Sequence, residues 1–361
     1  MTARAVAVYV SDHGFGHATR TAAILERWLA VDPDLVVHVR TTLPRWLFPA
    51  VGDRLRFREG TTDFGLVQPN CLTIDFGATL ARLDELEAAF DRRVATETAW
   101  LREIDAGLVV GDIPPLAFAS AEGAGLPSIA IGNFSWDWIY GHYVDRHAGF
   151  ALHARRAADR YRFARMLLRL PFHGDMPAFR SVVDLPILTH RTTISALEAR
   201  RALGLPVEGP LVLLSFGGIG FPGLDVHRLA EMAPIRFVTT DRVSSAPANL
   251  LRLDAGEIDY TTLLAACDAV ISKPGYGIVA ACLARGQRLL CAWREDFPEA
   301  PILVRALEQH GTAAFVSVEK LARAGFAEDL EALLSRPVAP ARLPADGAER
   351  AVEALSRELR R

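Results

Sequence analysis

Residues 5–20 read AVAVYVSDHGFGHATR: a short apolar run, a loop holding two glycines and two histidines, then the start of a helical pattern. The near-continuous apolar character of 5–10 suits a strand covered on both faces of a sheet. The pattern over 17–30 suits the helix that returns across it. Gly14 and Gly16 are expected to let the backbone turn and a ligand approach closely. A helix opening near His17 presents unpaired N–H groups and the positive end of its dipole to an anion. The loop lacks the third glycine of a dinucleotide fingerprint, and no acidic residue closes the second strand, VVHVRTT (36–42). The Lys-Ser/Thr of a P-loop is also missing, so NAD and ATP readings weaken. From spacing alone three readings stay open: an anion cradle, a His13–His17 metal pair with no third ligand nearby, and a plain turn. No metal is assigned.

The strand-then-helix unit recurs along the chain. LVVHV (35–39), AGLVVGD (106–112) and PSIAIGN (127–133) read as further strands, with helices over 78–104 and 115–124. The scheme restarts with PLVLLSF (210–216), IRFVTT (235–240), DAVIS (268–272), QRLLCAW (287–293) and AAFVSV (313–318), with helices at 223–233, 260–267, 275–285, 298–309 and 318–334. Such alternation predicts an α/β fold of two Rossmann-like domains with parallel sheets and right-handed crossovers. The boundary is expected near 184–206, where prolines give way to a Thr/Ser cluster able to cap a helix near Ser195. The expected domains are 1–190 and 191–345, with a final helix, 346–361, packing back on the first.

The chain has 361 residues, half of them hydrophobic, and a formal net charge of −3. That charge offers no basic field to recruit nucleic acid. Cys71, Cys267, Cys282 and Cys291 form no C-x-x-C pair, which fits a reducing compartment. The N-terminal apolar run is too short for a signal peptide, and no stretch approaches the ~18 apolar residues of a spanning helix. A soluble, cytoplasmic protein is expected, with peripheral contact to the inner face of a membrane left open. The candidate for such contact is ALHARRAADRYRFARMLLRL (151–170), read as a basic helix with six arginines against one aspartate. A solvated face is the plainer reading.

Two more glycine loops follow strands in the second half. SFGGIGFPG (215–223) supplies Gly217 and Gly218, and SKPGYGIVAA (272–281) supplies Ser272, Lys273, Gly275, Tyr276 and Gly277. Two loops at equivalent strand ends suit a diphosphate on helix N-termini better than two chance turns. Asp296 and Glu299 in WREDFPEAP (293–301) suit sugar hydroxyls or, equally, an acidic cap on the helix starting near Pro298. In NFSWDWIY (133–140), Trp136 and its neighbours suit either a sugar-stacking platform or ordinary packing.

Taken together, HGFGHATR (13–20), NFSWDWIY, LPFHGDMPAFR (170–180) and KPGYGIV (273–279) resemble the GT-B superfamily of nucleotide-sugar glycosyltransferases, which includes MurG-like and UDP-glycosyltransferase-like enzymes. The nearest resemblance is to the glycosyltransferase-like N-terminal region of plant L-arabinokinases, over roughly residues 5 to 330. It implies two domains facing a cleft, the first for acceptor and the second for donor. It implies inverting transfer from a nucleotide-diphosphate sugar, UDP-sugar foremost, to a hydroxyl acceptor, with no separate cofactor. By that resemblance His17 is the catalytic base and Asp112 orients it. Gly14, Gly16 and the second-half loop residues hold the donor, while His13, Asn133, Trp136 and Asp137 face the acceptor. One departure stands out: Ala281 occupies the place where such enzymes often carry a ribose-gripping glutamate. That keeps two other functions open, a catalytically silent sugar-nucleotide-binding protein and a sugar-nucleotide epimerase.

Overall fold

The computed structural model describes residues 4–69, 73–217, 220–221, 223–243, 245–292, 296–338, 340–341 and 343–361. The chain divides into two compact units: Met1–Val67, Ile74–Leu188 and Pro344–Arg361 form the first, Gln68–Thr73 and Thr189–Leu343 the second.

In the first unit the strands are β1 (Arg4–Val10), β2 (Leu35–Thr41), β3 (Leu55–Glu59), β4 (Ala106–Asp112), β5 (Ser128–Gly132), β6 (Met166–Arg169) and β7 (Val182–Asp184). They pair in parallel in the order β3-β2-β1-β4-β5-β6-β7. The central strands are the most apolar: Val6 to Val10 and Leu108 to Val110 are all buried. Tyr9, Trp100, Leu101, Val109 and Ala117 form part of the core on one face. The second unit holds β8 (Leu211–Leu214), β9 (Arg236–Thr239), β10 (Leu250–Arg252), β11 (Ala269–Ser272), β12 (Arg288–Ala292) and β13 (Thr312–Val316), again parallel, in the order β10-β9-β8-β11-β12-β13. Its core gathers Val212, Phe216, Phe237, Ile271 and Phe326. Both orders reverse once, at β1/β4 and at β8/β11. Ligands of open α/β sheets bind beyond the carboxyl ends of the strands at such points.

Several elements differ from the sequence expectation. The basic stretch 151–170 is not one helix. A helix runs over Phe150–Tyr161, and Met166–Arg169 forms β6, with Leu167 and Leu168 fully buried between β5 and β7. A four-residue apolar run carries too little periodicity to separate a strand from a buried helical turn. The shortened helix also uses its charge internally: Arg160 and Arg156 meet Glu87 at 2.6 and 3.4 Å, and the Arg160 guanidinium lies over the Phe90 ring. Among the described residues no helix is long and apolar enough to cross a membrane. The stretch 78–104 is two helices, Phe76–Ala88 and Phe90–Glu103. The stretch 318–334 also breaks, into Val318–Ala322 and Ala327–Ser335, where Ala324 takes φ +47° and Phe326 turns into the core. The stretch 223–233 tightens to a 3₁₀ helix, Val226–Met232.

Ser195 caps the helix Ala196–Ala202, and Glu198 returns the bond to its backbone in a capping box. The last helix, Gly347–Leu359, belongs to the first unit and packs against the helix Phe15–Val31. Its apolar face buries Ala351, Val352 and Leu355. Leu355→Ala is expected to destabilise the first unit by about 2–5 kcal/mol, seen as a lower urea midpoint. A loss under about 0.5 kcal/mol, the scale of a surface change, would remove this helix from the core.

Candidate active site

The reversal of strand order in the first unit places the end of β4 beside the end of β1. Asp112 is in register with Val10, and the Ser11 N–H donates to the Asp112 carbonyl at 2.9 Å. The chain leaving β1 enters the helix Phe15–Val31, so His17 stands in its first turn. Its Nδ1 lies 2.8 Å from Asp112 Oδ1. The ring is 6% exposed and packs edge-on against Phe134, centroids 5.6 Å apart. Its Nε2 has no hydrogen-bond partner among the described residues.

Asp112, 1% exposed, is held by more than His17. Arg20 Nε donates to Oδ2 at 2.7 Å, Arg20 Nη2 donates to Oδ1, and Thr21 Oγ1 donates to Oδ2 at 2.9 Å. Arg20 Nη1 reaches on to Asn133 Oδ1 at 2.9 Å, in the loop after β5. Arg20 and Thr21 follow His17 on one helix face because residues three and four apart share a side. Burial alone would push the Asp112 carboxyl up, but Arg20 and then His17 bring it down to about 2. Burial, then Arg20, lower the His17 pKa against the pull of Asp112. Both effects favour the uncharged form of the imidazole.

A second acidic cluster ties the same loop down. Asp63 accepts from Ser11 Oγ at 2.9 Å and from the Trp136 indole Nε1 at 2.7 Å. Burial and the nearby Asp12 charge push its carboxyl up to about 7, against those hydrogen bonds. Asp12 accepts from the Thr42 and Thr62 backbone N–H groups, both at 2.7 Å. His13 stands edge-on to Trp136, centroids 5.1 Å apart, and Gly65 has no room for a side chain against either ring.

These contacts redistribute the residues expected to face an acceptor. Trp136 is 1% exposed, with its N–H already given to Asp63 and its ring stacked on Tyr140, so packing and not a sugar platform is its observed role. Asn133 is likewise buried and serves Arg20. Asp137 lies in the first turn of the helix Trp136–His142, with burial raising its pKa. Nor do Gly14 and Gly16 serve a sharp turn. Gly14 has the extended φ of 168°, and a Cβ at either position would meet nothing within 4 Å. What the two glycines leave is room in front of an uncapped helix N-terminus. Sequence reasoning passed over Arg20, although it closes the HGFGHATR motif. Asp63 carried no signal at all.

In the second unit the loops after β8 and β11 meet at the other reversal. Ser272 Oγ donates to the Ser215 carbonyl at 2.6 Å, and Ser215 Oγ bonds the Tyr260 hydroxyl at 2.7 Å. Gly217 takes φ +73°, and a Cβ there would lie 3.8 Å from Lys273 Cε, so the lysine stem passes close to the glycine. Gly275 precedes the helix Tyr276–Arg285 without any side-chain cap, and a Cβ on it would meet nothing within 4 Å. Tyr276 is buried, and Gly277 and Ala281 are half-buried on that helix. Glu299 is buried at the start of the helix Ala300–His310 but makes no capping bond, and Asp296 is exposed. Gly218 and Glu295 lie outside the described residues.

The depressed pKa of Asp112 has a measurable consequence. An unfolded aspartate titrates near about 3.9, so the stability this carboxylate contributes is complete above that pH and is lost as pH falls toward about 2. Urea midpoints of the wild type and Asp112→Asn are expected to differ most near neutral pH and to converge between about pH 4 and 2. A difference constant across that window would show that the carboxylate is not held charged.

No family model matches the chain. It is 35% identical to L-arabinokinase of Arabidopsis thaliana over 311 residues, 84% of this chain and 29% of that protein. It thus spans about three-tenths of the length of that relative. Among solved structures it is similar to CalG4, a calicheamicin glycosyltransferase, with a TM-score of 0.64 at 15% identity over 100% of this chain and 99% of that one. LpCGTa, solved in complex with UDP, gives 0.64 at 14% identity over 99% of each. The glycotransferase of kitacinnamycin gives 0.60 at 17% identity over 99% and 94%. In fold, this chain is similar to these glycosyltransferases.

Proposed function

We propose that this protein transfers a sugar from a nucleotide-diphosphate sugar to a hydroxyl acceptor, with inversion and without a metal. The observation that carries the proposal is the buried His17–Asp112 pair at the β1/β4 reversal, with Nε2 left over for a proton. An alcohol is a weak nucleophile at neutral pH, so a positioned imidazole takes its proton as the new bond forms. The acceptor oxygen attacks the anomeric carbon, its proton passes to His17 Nε2, and the bond from that carbon to the diphosphate oxygen breaks with its electron pair on the phosphate. Asp112 accepts from Nδ1–H, which fixes the tautomer and stabilises the imidazolium that forms. Attack from the face opposite the leaving diphosphate inverts the anomeric centre.

Unit 2 carries groups suited to a diphosphate. The uncapped N-terminus of the helix Tyr276–Arg285 directs backbone N–H groups outward, and the helix dipole favours an anion there. Lys273 adds a full charge beside Gly217. It is one of only two lysines among the chain's 40 Lys and Arg residues, so its type here does not follow from composition. UDP is the leading nucleotide because LpCGTa was solved with it. Ala281 favours the second reading, a binding protein without turnover: with no carboxylate on that helix position, nothing there grips a ribose diol.

Donor screening separates the two. A nucleotide that binds should stabilise the purified protein by about 2.7 kcal/mol at 100 times its dissociation constant. Lys273→Met is expected to weaken nucleoside-diphosphate binding by ~10-fold or more, the worth of a charged hydrogen bond. His17→Ala should leave that binding nearly intact and lower nucleoside-diphosphate release by ~100-fold or more. Equal release by wild type and His17→Ala would remove the base. Binding without release by the wild type, for any donor and acceptor tried, would favour the silent reading.

A further inference from the structure

A bare histidine–aspartate pair has a built-in difficulty. A carboxylate close enough to orient the ring also draws a proton onto it, and a protonated imidazole is no base. In a buried pair this attraction is strengthened by the low dielectric. Here the same carboxylate faces a third group. Arg20 meets Asp112 through Nε at 2.7 Å and through Nη2 on the very oxygen, Oδ1, that faces His17. Nη2 also lies 2.9 Å from His17 Nδ1. The guanidinium is 3% exposed and anchored at its far side by Asn133 Oδ1. We propose that Arg20 is a positioning residue of the His17–Asp112 pair: its fork holds the carboxylate in the geometry that orients the imidazole while its charge cancels the carboxylate's pull on a second proton.

The placement meets what that role requires. Arg20 lies one turn after His17 on the same helix, so base and counter-charge move as one rigid element. The carboxylate's second oxygen is filled by Arg20 Nε and Thr21 Oγ1, which stops it rotating away from the ring. Arginine suits the task because its planar fork satisfies both oxygens at once and it stays charged at any pH the protein meets. The other groups facing His17 do not do this work. Asp12, from the loop after β1, is negative and pulls the opposite way. The loop after β5 presents the uncharged Asn133 and the edge of Phe134. The lowered His17 pKa agrees with the arrangement. The contact of Nη2 with Nδ1 adds a cost: both carry hydrogens in the base-competent tautomer, so Asp112 must outcompete the guanidinium for that side of the ring.

The role rests on His17 as base of the proposed transfer, but its test does not need turnover. Protein labelled with ¹³C and ¹⁵N in histidine gives the His17 signals by their loss in His17→Gln. In the wild type His17 is expected to be neutral with the proton on Nδ1 at pH 7 and to titrate below the ordinary histidine value. Arg20→Gln is expected to raise that midpoint by about one unit or more, the usual effect of an unmasked neighbouring carboxylate. Arg20→Lys, which keeps the charge and loses the fork, should bring the midpoint back toward the wild type. Where a donor and acceptor are in hand, the acid limb of kcat/KM should move with it. A wild-type midpoint above the ordinary value overturns the proposal without any variant, and so does an unchanged midpoint in folded Arg20→Gln. A shifted midpoint together with full activity in His17→Ala would sink the base and leave Arg20's effect standing.

Discussion

Asp112 is a carboxylate with almost no exposed surface at the end of a central strand, and a charge so placed costs several kcal/mol unless hydrogen bonds and an opposite charge offset it. That constraint organises the first unit around it. Four contacts converge on its two oxygens, and all come from one helix: His17, Arg20 twice, and Thr21. The helix can deliver them only if it starts where the loop after β1 starts it. The loop is fixed in turn by Ser11 on Asp63, Asp63 on Trp136, and Asp12 on the backbone at Thr42 and Thr62. The buried charge thus explains why polar residues from four separate stretches of sequence are interior here.

The two units repeat one topological solution and fill it differently. In each, strand order reverses beside the first strand, leaving the ends of two neighbouring strands to carry loops. In the first unit the reversal is filled with side chains, so that it holds an imidazole fixed. In the second, among the described residues, Ser215, Tyr260 and Ser272 tie the strand ends together, while Gly217 lies in the left-handed region and Gly275 precedes an uncapped helix. A rigid polar cluster suits moving a proton within a fixed geometry. Exposed N–H groups with little side-chain bulk suit an anion that arrives and departs. The division of labour proposed above is consistent with how each unit fills this shared topology.

How much of this was legible in the sequence depended on how local the signal was. Central strands such as 5–10 and 106–112 were plain because they are buried almost throughout and so apolar nearly to their ends. The strand at 166–169 was lost because a helix runs up to Tyr161 and a four-residue apolar run has no period of its own. The edge strands β3 and β10 are short and only partly buried, and β7 is exposed along its length. His17 and Asp112 came from a resemblance, and the structure puts them in contact. Arg20 sat in the same motif, yet an arginine near a glycine loop suggests a phosphate partner, and nothing local says that its partner is an aspartate 92 residues on. Trp136 misled for the converse reason. An aromatic after a strand end looks available to a ligand until a buried Asp63 is found accepting its N–H.

The choice between the two basic side chains carries the same logic into the chemistry. With 40 Lys and Arg residues and lysine only at 273 and 320, arginine is the chain's default cation. Its buried and half-buried arginines hold partners in fixed planes: Arg20 on Asp112 and Asn133, Arg40 on Glu97, Arg200 on Asp268 and the Ala266 carbonyl. A rigid fork is matched to a partner that never leaves. Beside Gly217, where the proposal puts a diphosphate that must bind and then go, the chain departs from its default. An ammonium on a flexible stem can follow a moving charge without imposing a plane on it. On that reading an immovable cation stands beside the base and a compliant one beside the leaving group, which is the order the transfer demands: the proton acceptor must be oriented before the bond forms, and the departing anion must be met wherever the breaking bond carries it.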